Sequence, residues 1–322
     1  MQYKTTVKNK SFLVTGGAGF IGSHLVDELL RKGVKKIVIV DNLFLGSKKN
    51  IQHVLNKKNV FFYKHDASDK KFMAALIRNH HIDVIYNLAT KALPYSFDDP
   101  HDAFLINVKL SDTLVSLLQE KKYKTLIHFS SSEVYGTSQS HKMSELHPMN
   151  PRTPYAAGKA AADMQVLSWQ KFYNLDISIV RPFNTYGPRQ NKGLYSGIIP
   201  KTIKRILSGQ QPLQEGNGEQ TRDFIFVTDV AKAAVKIFEN RKTRGAAINI
   251  ATGKETSVKK IISVISRSLK YKGKIIYKPA RAGDVIRHCA DISKASTILH
   301  FKPTLTFDSG IKKTINWYLK KT

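Results

Sequence analysis

Tyr155 and Lys159 stand four residues apart in Tyr155-Ala156-Ala157-Gly158-Lys159. That spacing stacks two side chains on one face of a helix. A free phenol ionises near pH ~10. An ammonium beside it favours the phenolate, which makes Tyr155 a candidate base nearer neutral pH. Taken alone, the pair reads equally well as two surface residues. A second polar group, Ser130-Ser131-Ser132-Glu133-Val134-Tyr135-Gly136, directly follows the apolar run 125–129. Hydroxyls at Ser131 and Ser132 and the Glu133 carboxylate then stand at the exit of a buried strand. The bland reading is a Ser-rich turn with a solvated Glu. It weakens because the apolar run fixes where the loop begins.

The third group is Gly16-Gly17-Ala18-Gly19-Phe20-Ile21-Gly22. It follows a short apolar run at 11–14 and opens a helical pattern over 23–32 in which Leu25, Val26, Leu29 and Leu30 share a face. A glycine-rich turn between strand and helix lets the backbone approach a pyrophosphate at the positive helix N-terminus. The first gap is one residue wider than the commonest fingerprint. A second strand over 36–40 ends at Asp41, about 20 residues past the last glycine, where a carboxylate binds ribose hydroxyls. Strand, turn, helix, strand and acid in register outweigh an ordinary turn and point to a dinucleotide. Its positive nicotinamide ring would further favour a Tyr155 phenolate, with Lys159 holding the adjoining ribose.

These groups need a scaffold. Apolar runs predict strands over 11–14, 36–40, 60–63, 83–88, 125–129 and 177–180. Amphipathic patterns predict helices over 23–32, 70–78, 102–119 and 155–173, and another after Gly46 through Leu55. The alternation implies an α/β, Rossmann-type doubly wound parallel sheet. Such sheets bind ligands at the carboxyl ends of their strands. The cofactor crevice is therefore expected along Gly16, Gly19, Phe20, Ile21 and Gly22, then Asp41 and Asn42, then Asp66 and Ala67. Leu88, Ala89, Thr90 and Ser130, with Tyr155 and Lys159, complete it. Beyond residue 183 the rhythm loosens. Helices are expected over 198–207, 229–239, 258–269, 293–299 and 310–318, and strands over 224–227, 247–250 and 275–277. Residues 1–183 are thus expected to form the NAD-binding domain. Residues 184–322 should form a smaller α/β substrate lobe, with the chain able to cross back.

Bulk properties narrow the function classes. The 322 residues, 42% of them hydrophobic, suffice for a substantial core. The single Cys289 excludes an internal disulfide framework and a cysteine metal cluster, and no metal site is expected. No signal peptide or membrane-spanning run is read, so a cytoplasmic setting and no membrane partner are expected. The net charge of +28 raises nucleic acid as a partner. The lysines are scattered in pairs such as Lys35-Lys36 and Lys121-Lys122, without aromatic-basic interleaving. No specific nucleic-acid binding is expected, although the charge attracts anionic substrates.

The segments 15–22, 130–136, 155–159 and 181–190 together resemble the extended short-chain dehydrogenase/reductase family. Arg222-Asp223-Phe224 and Arg281-Ala282-Gly283-Asp284 extend the likeness over nearly the whole chain. It is closest to the NAD-dependent nucleotide-sugar epimerases, dehydratases and decarboxylases. The resemblance implies that Tyr155 and Lys159 are the catalytic pair, and that Ser131 bonds the sugar C4 hydroxyl. Asn184, Arg222 and Arg281 would contact the nucleotide diphosphate, and Asp41 would select NAD over NADP. Glu133 matches a position where 4,6-dehydratases and UDP-glucuronate decarboxylases often carry Glu.

The implied reaction is C4 oxidation, C5 deprotonation by Glu133, loss of water and hydride return to C6. Burial of Glu133 is expected to suit that work. The substrate would be GDP-, UDP- or dTDP-linked. Ser132-Glu133 differs from the Asp-Glu of dTDP-glucose dehydratases. Leu93-Pro94-Tyr95-Ser96 is similar to 4,6-dehydratases of nonulosonate pathways. The Arg that holds a carboxylate in glucuronate epimerases is missing here, with Lys91 as a possible replacement. The alternatives are another C4-oxidising reaction (epimerisation, decarboxylation or net dehydrogenation) and a NAD-binding protein without chemistry. The family's intersubunit four-helix bundle maps onto 102–119 and 155–173, implying a homodimer.

Overall fold

A computed structural model describes residues 5–280 and 285–320. Six parallel strands form in chain order: β1 Ser11–Thr15, β2 Lys36–Val40, β3 Val60–Tyr63, β4 Val84–Asn87, β5 Thr125–Phe129 and β6 Ile177–Pro182. Helices α1 Phe20–Arg31, α2 Lys70–His80, α3 Pro100–Gln119 and α4 Pro154–Tyr173 alternate with them. Side chains along a strand point alternately to its two faces. Accordingly Phe12, Val14, Ile37 and Ile39 enter a core beneath α1, while Leu13, Val38 and Val40 enter a second core against α2, α3 and α4. Both faces are covered, which is why these strands read as nearly continuous apolar runs.

The remaining elements are β7 Asn184–Tyr186, α5 Ile198–Leu207, β8 Leu213–Glu215, β9 Thr221–Phe226, α6 Val227–Glu239, β10 Ala247–Ile250, β11 Glu255–Ser257, α7 Val258–Ser268, β12 Ile276–Lys278, α8 Ser293–Leu299 and α9 Phe307–Leu319. The main sheet has the order β10-β6-β5-β4-β1-β2-β3. Its seventh strand, β10, returns from the C-terminal half and pairs in parallel with β6. Helix α6 packs beside α1 on the same face. A three-stranded sheet, β11-β9-β7, and the β12-β8 pair form a separate layer, with a core of their own under α5, α7 and α9.

The helix expected after Gly46 is absent. Residues 48–50 and 52–54 make two short 3₁₀ turns. The segment is tied to the glycine-rich turn instead: Ser47 N and Asn50 Nδ2 both donate to Ala18 O, each at 3.0 Å. A chain pinned at both points wraps the turn rather than propagating a helix. No helix among the described residues is long and apolar enough to cross a membrane.

Candidate active site

The carboxyl ends of β1, β2, β4, β5 and β6 open into a cleft of about 990 Å³, closed on its far side by the β7–α5 region. Every site residue expected from the sequence lines it, apart from Arg281, which lies outside the described residues.

The glycine-rich turn shows the cradle in detail. Gly16 has φ +66°, and a Cβ there would lie 2.8 Å from Ala89 N and 2.9 Å from Leu88 O. Only glycine takes that backbone without strain. A Cβ on Gly22 would lie 2.8 Å from Gly17 Cα, so helix α1 starts hard against the turn. Gly19 gives no side-chain cap and the first turn of α1 carries no acid. The helix N-terminus therefore presents amide donors to the cleft, as an anionic pyrophosphate requires. At the end of β2, Asp41 accepts from Ala18 N (3.0 Å) and Leu43 N (2.8 Å), which fixes its carboxylate against the turn. Burial raises its pKa, while those backbone bonds oppose the rise. Asp66 accepts from Ser68 N at 2.8 Å and from Asn42 Nδ2 at 3.2 Å. These residues fit NAD.

Helix α4 begins at the N-cap Thr153, whose side chain accepts from Ala156 N, and Pro154 supplies a preset first turn. It presents Tyr155 and Lys159 to the cleft. Lys159 is buried, and its Nζ donates to Phe129 O at 3.0 Å. Burial lowers its pKa to about 8, with Asp163 pulling the other way. Burial pushes the Tyr155 phenol up to about 12. Bonds with Ser131 and Thr90 oppose that rise, and the charges of Glu133 and Asp163 add to it. The ammonium donates to the Phe129 carbonyl, and the protein groups by themselves raise the phenol; the lowering expected from Lys159 together with the nicotinamide charge concerns the NAD-loaded protein. Glu133 is half-buried, and its backbone N–H donates to Ser131 Oγ at 3.2 Å.

His288, Phe44 and Tyr195 at the site escaped the sequence reading, as did the inward role of Asp223. His288 is buried and donates to Ser132 O at 3.0 Å, tying the Ser-Ser-Glu loop to the C-terminal half. Burial, reinforced by Arg222, lowers its pKa to about 3, so it is neutral. Of Arg222-Asp223-Phe224, Arg222 lines the cleft and Asp223 turns inward. Asp223 accepts from Thr252 N, Thr252 Oγ1 and Gly253 N at 2.6–2.8 Å and from Ala290 N at 3.3 Å, a structural joint. At the mouth, Phe44, Tyr95 and Tyr195 cluster with ring centroids 5.1–6.1 Å apart. Lys91 Nζ lies 3.2 Å from the Phe44 ring centroid and 3.5 Å from Asp102 Oδ2. Nothing in the local sequence marks Phe44 or Tyr195, because each comes from a different loop.

The family model described as GDP-mannose 4,6 dehydratase matches residues 13–314. A putative UDP-glucose 4-epimerase of Methanocaldococcus jannaschii is 34% identical over 307 residues, covering 95% of this chain and 97% of that protein. UDP-glucuronic acid decarboxylase 1 of Xenopus tropicalis is 30% identical over 318 residues, covering 97% of this chain and 73% of that protein. A dTDP-glucose 4,6-dehydratase of Streptomyces venezuelae, solved with NAD bound, superposes with a TM-score of 0.91 at 27% identity, covering 96% and 97% of the two chains. With the dinucleotide cradle and the Tyr155–Lys159 helix, these likenesses show that the chain belongs to the NAD-dependent nucleotide-sugar epimerase, dehydratase and decarboxylase family of extended short-chain dehydrogenase/reductase fold.

Proposed function

We propose that this protein is a nucleotide-sugar 4,6-dehydratase. The observation that carries the reading is a carboxylate, Glu133, in the cleft beside Ser131 and close enough to Tyr155 for its charge to raise the phenol. NAD, when bound in the cradle of the glycine-rich turn and Asp41, would supply the hydride acceptor for sugar C4 and the hydride donor for C6. Ser131 orients the C4 hydroxyl, and Tyr155 receives its proton once the positive nicotinamide ring and the Lys159 ammonium have drawn the phenol to the phenolate. The resulting ketone acidifies C5, and Glu133 takes the C5 proton. A serine hydroxyl is too weak a base for that step. That proton leaves on the C6 hydroxyl as water, C5 takes a proton from solvent as the hydride reaches C6, and the proton held by Tyr155 returns to solvent. Ser132 supports Glu133 through the loop that His288 fixes.

Asn184 and Arg222 contact the diphosphate. Asn184 Nδ2 is a buried donor without a hydrogen-bond partner among the described residues, as an anion site requires. Residues 1–183 hold chiefly NAD and 184–322 chiefly the nucleotide sugar. Helices α3 and α4 pack tightly, with Gly158 against the Phe104 backbone, and leave Leu105, Met164 and Phe172 exposed. A second copy covers these apolar side chains, giving a homodimer. A monomeric mass by light scattering at micromolar concentration contradicts that.

The test is product analysis of the wild type and Glu133→Gln. The wild-type product is lighter by one water. The variant still oxidises C4 but releases no water. Normal dehydration by Glu133→Gln overturns the assignment. A second reading, decarboxylation, draws on Lys91 as a cation in the cleft, and carbon dioxide release from a glucuronate substrate supports it instead.

A further inference from the structure

A row of buried polar side chains crosses the carboxyl edge of the main sheet. Thr15 on β1 donates to Asn87 Oδ1 on β4 at 2.8 Å, and Asn87 Nδ2 donates to His128 Nδ1 on β5 at 3.2 Å. An accepting Nδ1 leaves the ring proton on Nε2, which faces Asp163 Oδ1 at 3.8 Å, beyond hydrogen-bond length. Asp163 Oδ2 accepts from Ser130 Oγ at 2.7 Å and from Arg181 Nε at 2.9 Å. Arg181 Nη1 donates to Tyr135 Oη, and that hydroxyl donates to Asn249 Oδ1 on β10, both at 2.8 Å.

Asp163 has no exposed surface. A buried carboxylate is strongly unfavourable unless it is paired and hydrogen-bonded. Arg181 accounts for the pairing. It does not account for the placement. Asp163 lies four residues after Lys159 on α4, so both face the same side of the helix. Its second contact is Ser130, the residue that opens the Ser-Ser-Ser-Glu loop.

We infer that Asp163 is a positioning residue, anchored by Arg181, which keeps Lys159 charged and holds the Ser130 loop against α4. The inference rests on the reading of Tyr155 and Lys159 as the working pair. The groups facing Asp163 are Lys159 from α4, His128 from β5, Arg181 from β6, and Ser130 and Tyr135 from the loop after β5. His128 is held down to about 3, chiefly by burial, and is neutral. Tyr135 is pushed up to about 12, chiefly by burial, and is neutral too. Burial raises Asp163 itself, while Arg181 and Ser130 draw it back toward the carboxylate. Asp163 is the influence that opposes the fall of Lys159, and its charge also raises Tyr155.

The experiment is the pH profile of C4 oxidation in Asp163→Asn. A lysine that must be charged loses activity as pH rises through its pKa, so losing the Asp163 charge moves the alkaline limb to lower pH. The Tyr155 limb, relieved of the same charge, also moves to lower pH. The whole profile should shift by about one unit, and Asp163→Glu should restore it. Asp163→Asn combined with Arg181→Met removes both charges of the pair and strands neither; it should shift in the same direction but by less, because the opposing effect of the Arg181 cation goes as well. A profile that loses height with unmoved limbs, in both variants, overturns the inference. A second readout needs no turnover: the ¹³Cε resonance of Lys159 in the NAD-loaded protein, assigned with Lys159→Arg. Its titration midpoint should fall in Asp163→Asn. If the wild type oxidises no nucleotide sugar yet that midpoint still falls, the functional reading fails and the positioning role stands. An unmoved midpoint overturns the positioning role.

Discussion

The floor of the cleft and its mouth are built from opposite materials. The floor, made by the strand ends and α4, consists of buried polar groups with fixed partners: Ser130 on Asp163, Lys159 on the Phe129 carbonyl, and Ser132 under His288. The mouth is assembled from three loops, with Phe44, Lys91, Tyr95 and Tyr195 in ring contact and a 3.5 Å ion pair from Lys91 to Asp102. Buried, low-dielectric groups interact strongly and leave little freedom. Part-exposed aromatic and cationic contacts are each worth only about 0.5–1 kcal/mol. The difference suggests a division of labour. On the proposed reading, the floor carries the hydride and proton chemistry and the mouth selects the sugar.

The comparison breaks first at Tyr155. Tyr155→Phe leaves the fold and the cofactor cradle intact and removes one hydroxyl. Turnover should fall by roughly 10²- to 10⁴-fold with NAD affinity retained, measured by single-turnover product formation and NAD titration. A loss under tenfold removes Tyr155 as the base. A much smaller effect is expected at the mouth. Lys91→Met takes the cation from Phe44 and Asp102, and for an uncharged hexose should change KM by less than about tenfold with kcat unchanged. A large KM increase confined to a carboxylated sugar would sharpen the account differently, making Lys91 the carboxylate anchor and favouring decarboxylation.

The two regions also differed in how legibly the sequence encodes them. Strands over 36–40, 60–63 and 125–129 were readable to the residue, because a strand buried on both faces is a continuous apolar run bounded by turns. The glycine spacing and the Tyr-Lys spacing located cleft residues because each is local in sequence. In the C-terminal half, β7, β8 and β11 are three residues each, too short to show a period, and their partners are distant. The inward role of Asp223 was hidden for the same reason: its partners are Thr252, Gly253 and Ala290. Helical spacing brings Tyr155 and Lys159 to one face, but the burial that raises the phenol and the Phe129 carbonyl that takes the Lys159 ammonium are set by distant segments and leave no local mark in the sequence.

The most direct test of the central claim is the product mass after incubating the protein with NAD and a panel of GDP-, UDP-, dTDP- and CDP-linked sugars. The account predicts one substrate that loses one water with no net NADH. Loss of two hydrogens with NADH accumulating, loss of carbon dioxide, or an unchanged mass with inverted C4 by proton NMR would contradict it and assign a dehydrogenase, a decarboxylase or an epimerase on the same floor.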